Sequence, residues 1–237
     1  MRFAPFFLAS VLVSTSLFAC GGDDGGDGDG GSGTDGGTPV DTDGVHEGIA
    51  TYYDADGSGA CSFDASSDLD VAALNAEEWS GSAYCGACVD VTRPEGNVRV
   101  RIVDLCPECK KGHLDLSESA FVKVAAKELG RVDIEWQFVS CDVSGPMKYK
   151  YKDGSNQWWT AVQIRNHRYP IQKVEWSADG TNFSELSRTD YNYFLAESGF
   201  GADPVTLRIT ATNGDVVEDE LPAVQDSLEV EGTQQFD

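Results

Sequence analysis

Residues 97–117 read NVRVRIVDLCPECKKGHLDLS. From Asn97 to Val103 apolar and polar side chains alternate, the period of a strand with one face in a core, and Asp104 stands at its end. The spacing Cys106-x-x-Cys109 follows, and a second acid, Asp115, is set between Leu114 and Leu116. A carboxyl among apolar side chains has its charged form penalised, which raises its pKa toward the range of a general acid. A structural reading competes: Asp104 satisfies a turn, and Asp115 caps the helix that follows.

Downstream, Ser117 is an N-cap for a helix ending before Gly130, with Ala120, Phe121, Val124, Ala125 and Leu129 on one apolar face. Strand patterns cover Gly48–Tyr53, Cys88–Thr92 and Val132–Val139, with a turn at Pro94-Glu95-Gly96-Asn97. One short helix among many strands predicts a small barrel. After the breaker Ser144-Gly145-Pro146 the helical pattern disappears. Strands are expected at Met147–Tyr151, Trp158–Arg165, Gln172–Ser177, Val205–Thr210 and Val216–Glu220, several separated by turns at Asp153-Gly154, Asp179-Gly180 and Asn213-Gly214. That half reads as a β-sandwich, so residues 45–143 and 144–237 form two modules.

Upstream, Arg2 followed by the apolar stretch from Phe6 to Phe18 reads as a signal segment, too short to span a bilayer. Leu17-Phe18-Ala19-Cys20 resembles a bacterial lipoprotein box in which residues 1–20 are the leader and Cys20 is lipidated; Phe18 is unusual there, and ordinary cleavage with plain secretion is the alternative. Both routes predict an exported protein, lipid-anchored at the cell surface or outer membrane, or secreted. Residues 21–44 are Gly, Asp, Ser and Thr with almost nothing apolar, a solvated tether without a core.

Six further cysteines fall in the first module: Cys61, Cys85, Cys88, Cys106, Cys109 and Cys141. Two C-x-x-C pairs match the spacing of a zinc site. An oxidising compartment and the two cysteines that zinc would leave over favour three disulfides and no metal. Spacing leaves the connectivity open; Cys61–Cys85, Cys88–Cys141 and Cys106–Cys109 is the expected set. With 40 acidic and 17 basic residues, a formal charge of -23, the chain repels nucleic acid, anionic membranes and polyanionic glycans such as pectate, so a neutral partner fits better.

Trp158-Trp159 is the main feature of the second module. On a strand one ring would pack inward and the other outward. An outward Trp together with Tyr191 would form a flat apolar strip on which sugar rings stack, with Lys152 and Gln157 at its edge for hydroxyls. His46, His113 and His167 read as surface or packing residues, and no phosphate-cradling loop or catalytic triad is present.

Taken together, the chain from His46 onward resembles the microbial expansins. The first half matches in His46-Glu47-Gly48-Ile49-Ala50-Thr51-Tyr52, Gly81-Ser82-Ala83-Tyr84-Cys85-Gly86-Ala87-Cys88, Val103-Asp104-Leu105-Cys106-Pro107 and Gly112-His113-Leu114-Asp115-Leu116-Ser117. The second half matches in Tyr149-Lys150-Tyr151-Lys152-Asp153-Gly154-Ser155, Trp158-Trp159, Val162-Gln163-Ile164-Arg165-Asn166-His167 and Asp190-Tyr191-Asn192. The resemblance implies a mainly β chain: a six-stranded double-psi β-barrel with a short helix, then an Ig-like β-sandwich that binds cellulose.

It also implies wall-loosening residues at Thr51, Asp104 and Asp115, and polysaccharide-binding residues at Lys152, Trp158, Trp159 and Tyr191. Cys106 replaces a tyrosine that some bacterial members carry. The expected activity is non-hydrolytic loosening of plant-type wall by a monomer acting on cellulose and related glucans without a cofactor. The rivals are an inverting endoglucanase like the family 45 glycoside hydrolases, which share the barrel, and a peptidoglycan-directed protein of the rare lipoprotein A type. In the first rival Asp115 would be the acid and Asp54 or Asp56 the base.

Overall fold

The structure, a computed structural model, describes residue 42 and residues 44–237. The expected leader, Cys20 and most of the expected tether lie outside these residues. Six strands form the first body: β1 His46–Tyr53, β2 Val71–Asn75, β3 Cys88–Arg93, β4 Gly96–Cys106, β5 Leu114–Ser117 and β6 Val132–Val139. They close in the order β1-β5-β2-β4-β3-β6, and β6 pairs back onto β1. The β1·β5 and β2·β4 pairs are parallel and the other barrel pairs antiparallel.

Two of these strands escape the periodicity reading. Every residue of β2 (VAALN) is buried, so it has no polar face to alternate with, and β5 is only four residues long. The interior is filled by Leu74, Ile102, Leu114, Leu116, Phe121 and Trp136.

The helix α1 is shorter than expected, Glu118–Val124. Ser117 caps it, its Oγ accepting from the Ala120 backbone N–H at 3.1 Å, so the helix does not use Asp115 as its cap. Ala125 adopts extended backbone and ends the helix, and Lys127–Leu129 forms a separate 3₁₀ turn in which Leu129 is 59% exposed. The buried stripe is thus Ala120, Phe121 and Val124; Leu129 does not belong to it.

Nine strands follow: β7 Lys148–Tyr151, β8 Thr160–Arg165, β9 Ile171–Ser177, β10 Ser184–Glu185, β11 Ser187–Arg188, β12 Phe194–Ala196, β13 Val205–Ala211, β14 Val216–Leu221 and β15 Glu229–Glu231. They build two sheets, β10-β9-β13-β14 and β11-β12-β8-β7-β15. Inward residues alternate cleanly along β7 and β13, and Tyr149, Tyr151, Ile164, Phe194, Leu207 and Phe236 fill the core. The Tyr149 hydroxyl donates to Asp219 Oδ2 at 2.6 Å, satisfying a buried polar pair.

All six described cysteines are in disulfides: Cys61–Cys85, Cys88–Cys141 and Cys106–Cys109. The barrel and the five-stranded sheet share a buried polar seam. Gln163 Nε2 and Asn192 Nδ2 both donate to the Cys61 carbonyl, at 2.9 and 3.1 Å, and Ser82 Oγ donates to the Thr189 carbonyl at 2.8 Å. Among the described residues no helix is long and apolar enough to cross a membrane.

Candidate functional site

Strand register brings the acids of the first module into one row. Thr51 of β1 pairs with Asp115 of β5, Asp115 with Ala73 of β2, and Ala73 with Asp104 of β4. Residues in register on neighbouring strands project to the same face. Adjacent strands lie about 4.8 Å apart, so the Asp115 and Asp104 backbones are on the order of 10 Å apart. The side chain between them is only that of Ala73, which is itself buried. A bulge in the β2·β4 ladder at Ala72/Ala73 sets this alignment, bringing Asp104 rather than Val103 opposite Ala73.

Each carboxylate is held differently. Thr51 Oγ1 donates to Asp115 Oδ1 at 2.5 Å. The Asp115 carboxyl is held above its ordinary pKa chiefly by burial, against the pull of the Thr51 hydrogen bond, with the negative charges of Glu108 and Asp104 adding to the rise. Asp104 Oδ1 accepts backbone N–H groups from Ala60 at 2.7 Å and Leu105 at 2.8 Å. The loop that supplies Ala60 lies so close that a Cβ on Gly59 would stand 2.4 Å from the Asp104 carboxyl carbon. Cys61–Cys85 and Cys106–Cys109 brace the chain on either side. Asp104 is therefore an anchor for this loop as well as a member of the row.

Tyr53 belongs to the site and was missed. It follows Thr51 by two residues on β1, and its hydroxyl is buried without a hydrogen-bond partner. Burial foremost, then the charges of Asp104, Asp115 and Asp56, hold the phenol far above its ordinary pKa, so it stays a neutral donor beside the acids. The period of two from Thr51 was the available signal. Asp56 is fully exposed; the Ser58 hydroxyl and backbone N–H both bond its Oδ1, at 2.6 and 2.9 Å, and hold its carboxyl below the usual range. Asp54 lines a different pocket, with Ser117, Glu118 and Val122.

The tryptophans do not lie on a strand. β8 begins at Thr160, and Trp158 and Trp159 belong to the tight connection from β7. Asn156 closes this turn: its N–H donates to the Trp159 carbonyl at 2.8 Å and its Oδ1 accepts from the Trp158 N–H at 2.9 Å. Trp158 is 72% exposed and Trp159 half-buried, so neither ring enters the core and the expected inward partner is absent. Tyr191 is half-buried, its ring centroid 5.9 Å from that of Tyr193, over which Lys152 Nζ sits at 5.9 Å. The intervening Asn192 is the residue that donates to Cys61, so the Tyr191 segment is tied to the barrel. Among the described residues no cluster of His, Cys, Asp and Glu could hold a metal ion.

A lytic transglycolase family model matches residues 45–136. Expansin-YoaJ of Bacillus subtilis is 35% identical over 191 residues, covering 78% of this chain and 82% of that protein. The chain belongs to the expansin family. Expansin-like protein 1 of Dictyostelium discoideum is 29% identical over 201 residues, covering 79% of this chain and 70% of that protein. Two crystal structures of the Clavibacter michiganensis expansin, the apo form and a point mutant in complex with cellohexaose, are each 33% identical with a TM-score of 0.73, and cover 81% of this chain and 98% of theirs. The fold similarity therefore extends across both the barrel and the paired sheets of this expansin.

Proposed function

We propose that this expansin binds cellulose and related plant-wall glucans and loosens them without cutting a bond. The observation that carries the reading is the exposed Trp158, presented by a closed turn on a sheet that is hydrogen-bonded to the barrel bearing the Thr51, Asp115 and Asp104 row. The expansin relatives, one of them crystallised with cellohexaose, support the same reading.

Trp158, Trp159 and Tyr191 stack on one face of a glucan, with Lys152 at the edge. Thr51, Asp104 and Asp115 hydrogen-bond the chain that crosses the barrel. Binding energy then offsets lost glucan-to-glucan contacts. The barrel, residues 45–143, and the carbohydrate-binding sandwich, residues 144–237, work as one monomer, exported and tethered through residues 21–44 to a lipid on Cys20.

Hydrolysis with inversion requires a base facing the acid across the scissile bond, with about 6.5–9.5 Å between carboxyls. If Asp115 is the acid, the candidates for its partner serve poorly. Asp104 has its Oδ1 taken by two backbone donors and only Oδ2 left, Asp56 is a weakened base, and Asp54 lines another pocket. The lytic transglycolase model over the barrel favours a second reading, a peptidoglycan-directed lytic protein.

The test is a pull-down on amorphous cellulose with reducing ends measured in the same tubes, and muropeptide release from sacculi in parallel, using wild type, Asp115→Asn and Trp158→Ala. Binding without release, lost in Trp158→Ala, is expected, with wall extension lost in Asp115→Asn. Sugar release abolished by Asp115→Asn would make the protein a hydrolase, and muropeptide release would make it lytic.

A further inference from the structure

Arg101 lies on β4, beside Val71 of β2 and Cys88 of β3. Its neighbour on the same face, Arg99, is fully paired, with Asp90 at 2.7 and 3.0 Å and Asp142 at 2.8 Å. The Arg101 side chain is half-buried, and its guanidinium forms no hydrogen bond or ion pair among the described residues. Burial accordingly pushes its pKa below the ordinary value, and the attraction of Asp68 does not reverse this. A partly desolvated guanidinium without an acid partner, facing a cavity, marks a place where an anion would be favourable.

Arg101 lines a cavity of about 410 Å³ between the barrel and the edge of the five-stranded sheet. Lys148 and Arg165 face the same space, with Asp64, Asp68 and Glu229. Arg165 occupies two of these acids, Asp64 at 2.6 Å and Glu229 at 2.9 Å. Lys148 reaches Glu229 only at 3.9 Å, and Asp68 makes no ion pair. Three cations therefore meet three acids, a neutral enclave in a chain of charge -23, and the cation left without an ion pair is Arg101. The planar guanidinium fork matches a carboxylate bidentately. A doubly charged phosphate would meet more repulsion from the three acids than a singly charged carboxylate does.

The geometry points to a second binding site in this cavity, sharing no lining residue with the Trp158 turn or the Asp104–Asp115 row, that takes a carboxylate into the fork of Arg101. The carboxylate belongs either to a free small acid or to an acidic sugar such as glucuronate; Phe63 provides an apolar wall for a sugar ring. The site does not depend on the glucan reading.

The test is calorimetric titration of the purified protein with sodium glucuronate, sodium acetate, inorganic phosphate and glucose at fixed ionic strength, repeated with Arg101→Gln. Glucuronate is expected to bind with a millimolar Kd that weakens roughly tenfold in Arg101→Gln, phosphate more weakly, and glucose not at all. Acetate binding alongside glucuronate assigns the ligand as the carboxylate itself; glucuronate binding alone assigns an acidic sugar. Without ligand, the Tm of Arg101→Gln should equal or exceed that of wild type, because no ion pair is lost and a partly desolvated charge has been removed. A Tm several degrees lower would mean that Arg101 pairs with a protein acid and would overturn the proposal. Absence of saturable carboxylate binding, or equal binding by the variant, would also overturn it. Cellulose pull-down is unchanged by Arg101→Gln in every case, which keeps this site separate from glucan binding.

Discussion

His167 makes the stability of the folded chain depend on acid. It is fully buried at the seam between barrel and sheet, where a Cβ on Gly86 would stand 2.5 Å from its Nε2. Its Nδ1 bonds the Tyr169 carbonyl at 2.8 Å. Burial foremost, then the positive charges of Arg101 and Arg188, push its pKa down to about 4 from the ordinary 6.5, although the Tyr169 bond works the other way. Between those two values the unfolded chain binds the proton and the folded chain does not, so stability rises with pH through this window. Full stability is present above 6.5 and is lost as pH falls toward 4; the gap corresponds to about 3 kcal/mol. Many carboxyls titrate in the same range, so the measurement is a difference. Urea unfolding of wild type and His167→Gln at pH 7.5 and pH 4 should give a wild-type advantage that shrinks by about 3 kcal/mol at the lower pH. An advantage independent of pH would refute the reasoning and mean that a proton enters the seam freely.

Thr51→Val removes a donor to the ionised Asp115, so the Asp115 pKa should rise further, read by carboxyl-carbon NMR titration; an unchanged pKa would mean the 2.5 Å contact does not persist in solution. Trp158→Ala should leave urea stability within about 0.5 kcal/mol of wild type, because the ring is mostly solvent-exposed, while cellulose binding falls roughly tenfold. Replacing Cys88 and Cys141 together by Ser opens a link across 53 residues and should cost on the order of 4 kcal/mol in equilibrium unfolding.

Much of this molecule was legible in one dimension. Period-two alternation in Val132–Val139 and Asn97–Val103 locates β6 and most of β4, because a strand with one face in a core must repeat every second residue. The helix start at Ser117 was equally local, a hydroxyl reaching the backbone N–H three residues on. The length of that helix and the Trp158 turn were not. Leu129 and Trp158 fit an apolar pattern that the chain then abandons, at the extended Ala125 and at the turn closed by Asn156. Neither break carries a proline or glycine to announce it.

The candidate site itself divides the same way. The chemistry of Asp115 between two leucines is a sequence fact, but the burial that raises its pKa is supplied by the fold, because on a strand those leucines face the opposite side. The alignment of Thr51, Asp115, Ala73 and Asp104 depends on parallel pairing between distant strands and on a bulge that shifts β4 by one residue. The unpaired Tyr53 hydroxyl and the unpaired Arg101 are likewise properties of what the fold places around them. Local sequence determines which groups a strand presents and on which face; long-range packing alone decides which of those groups meet, and which are left without a partner.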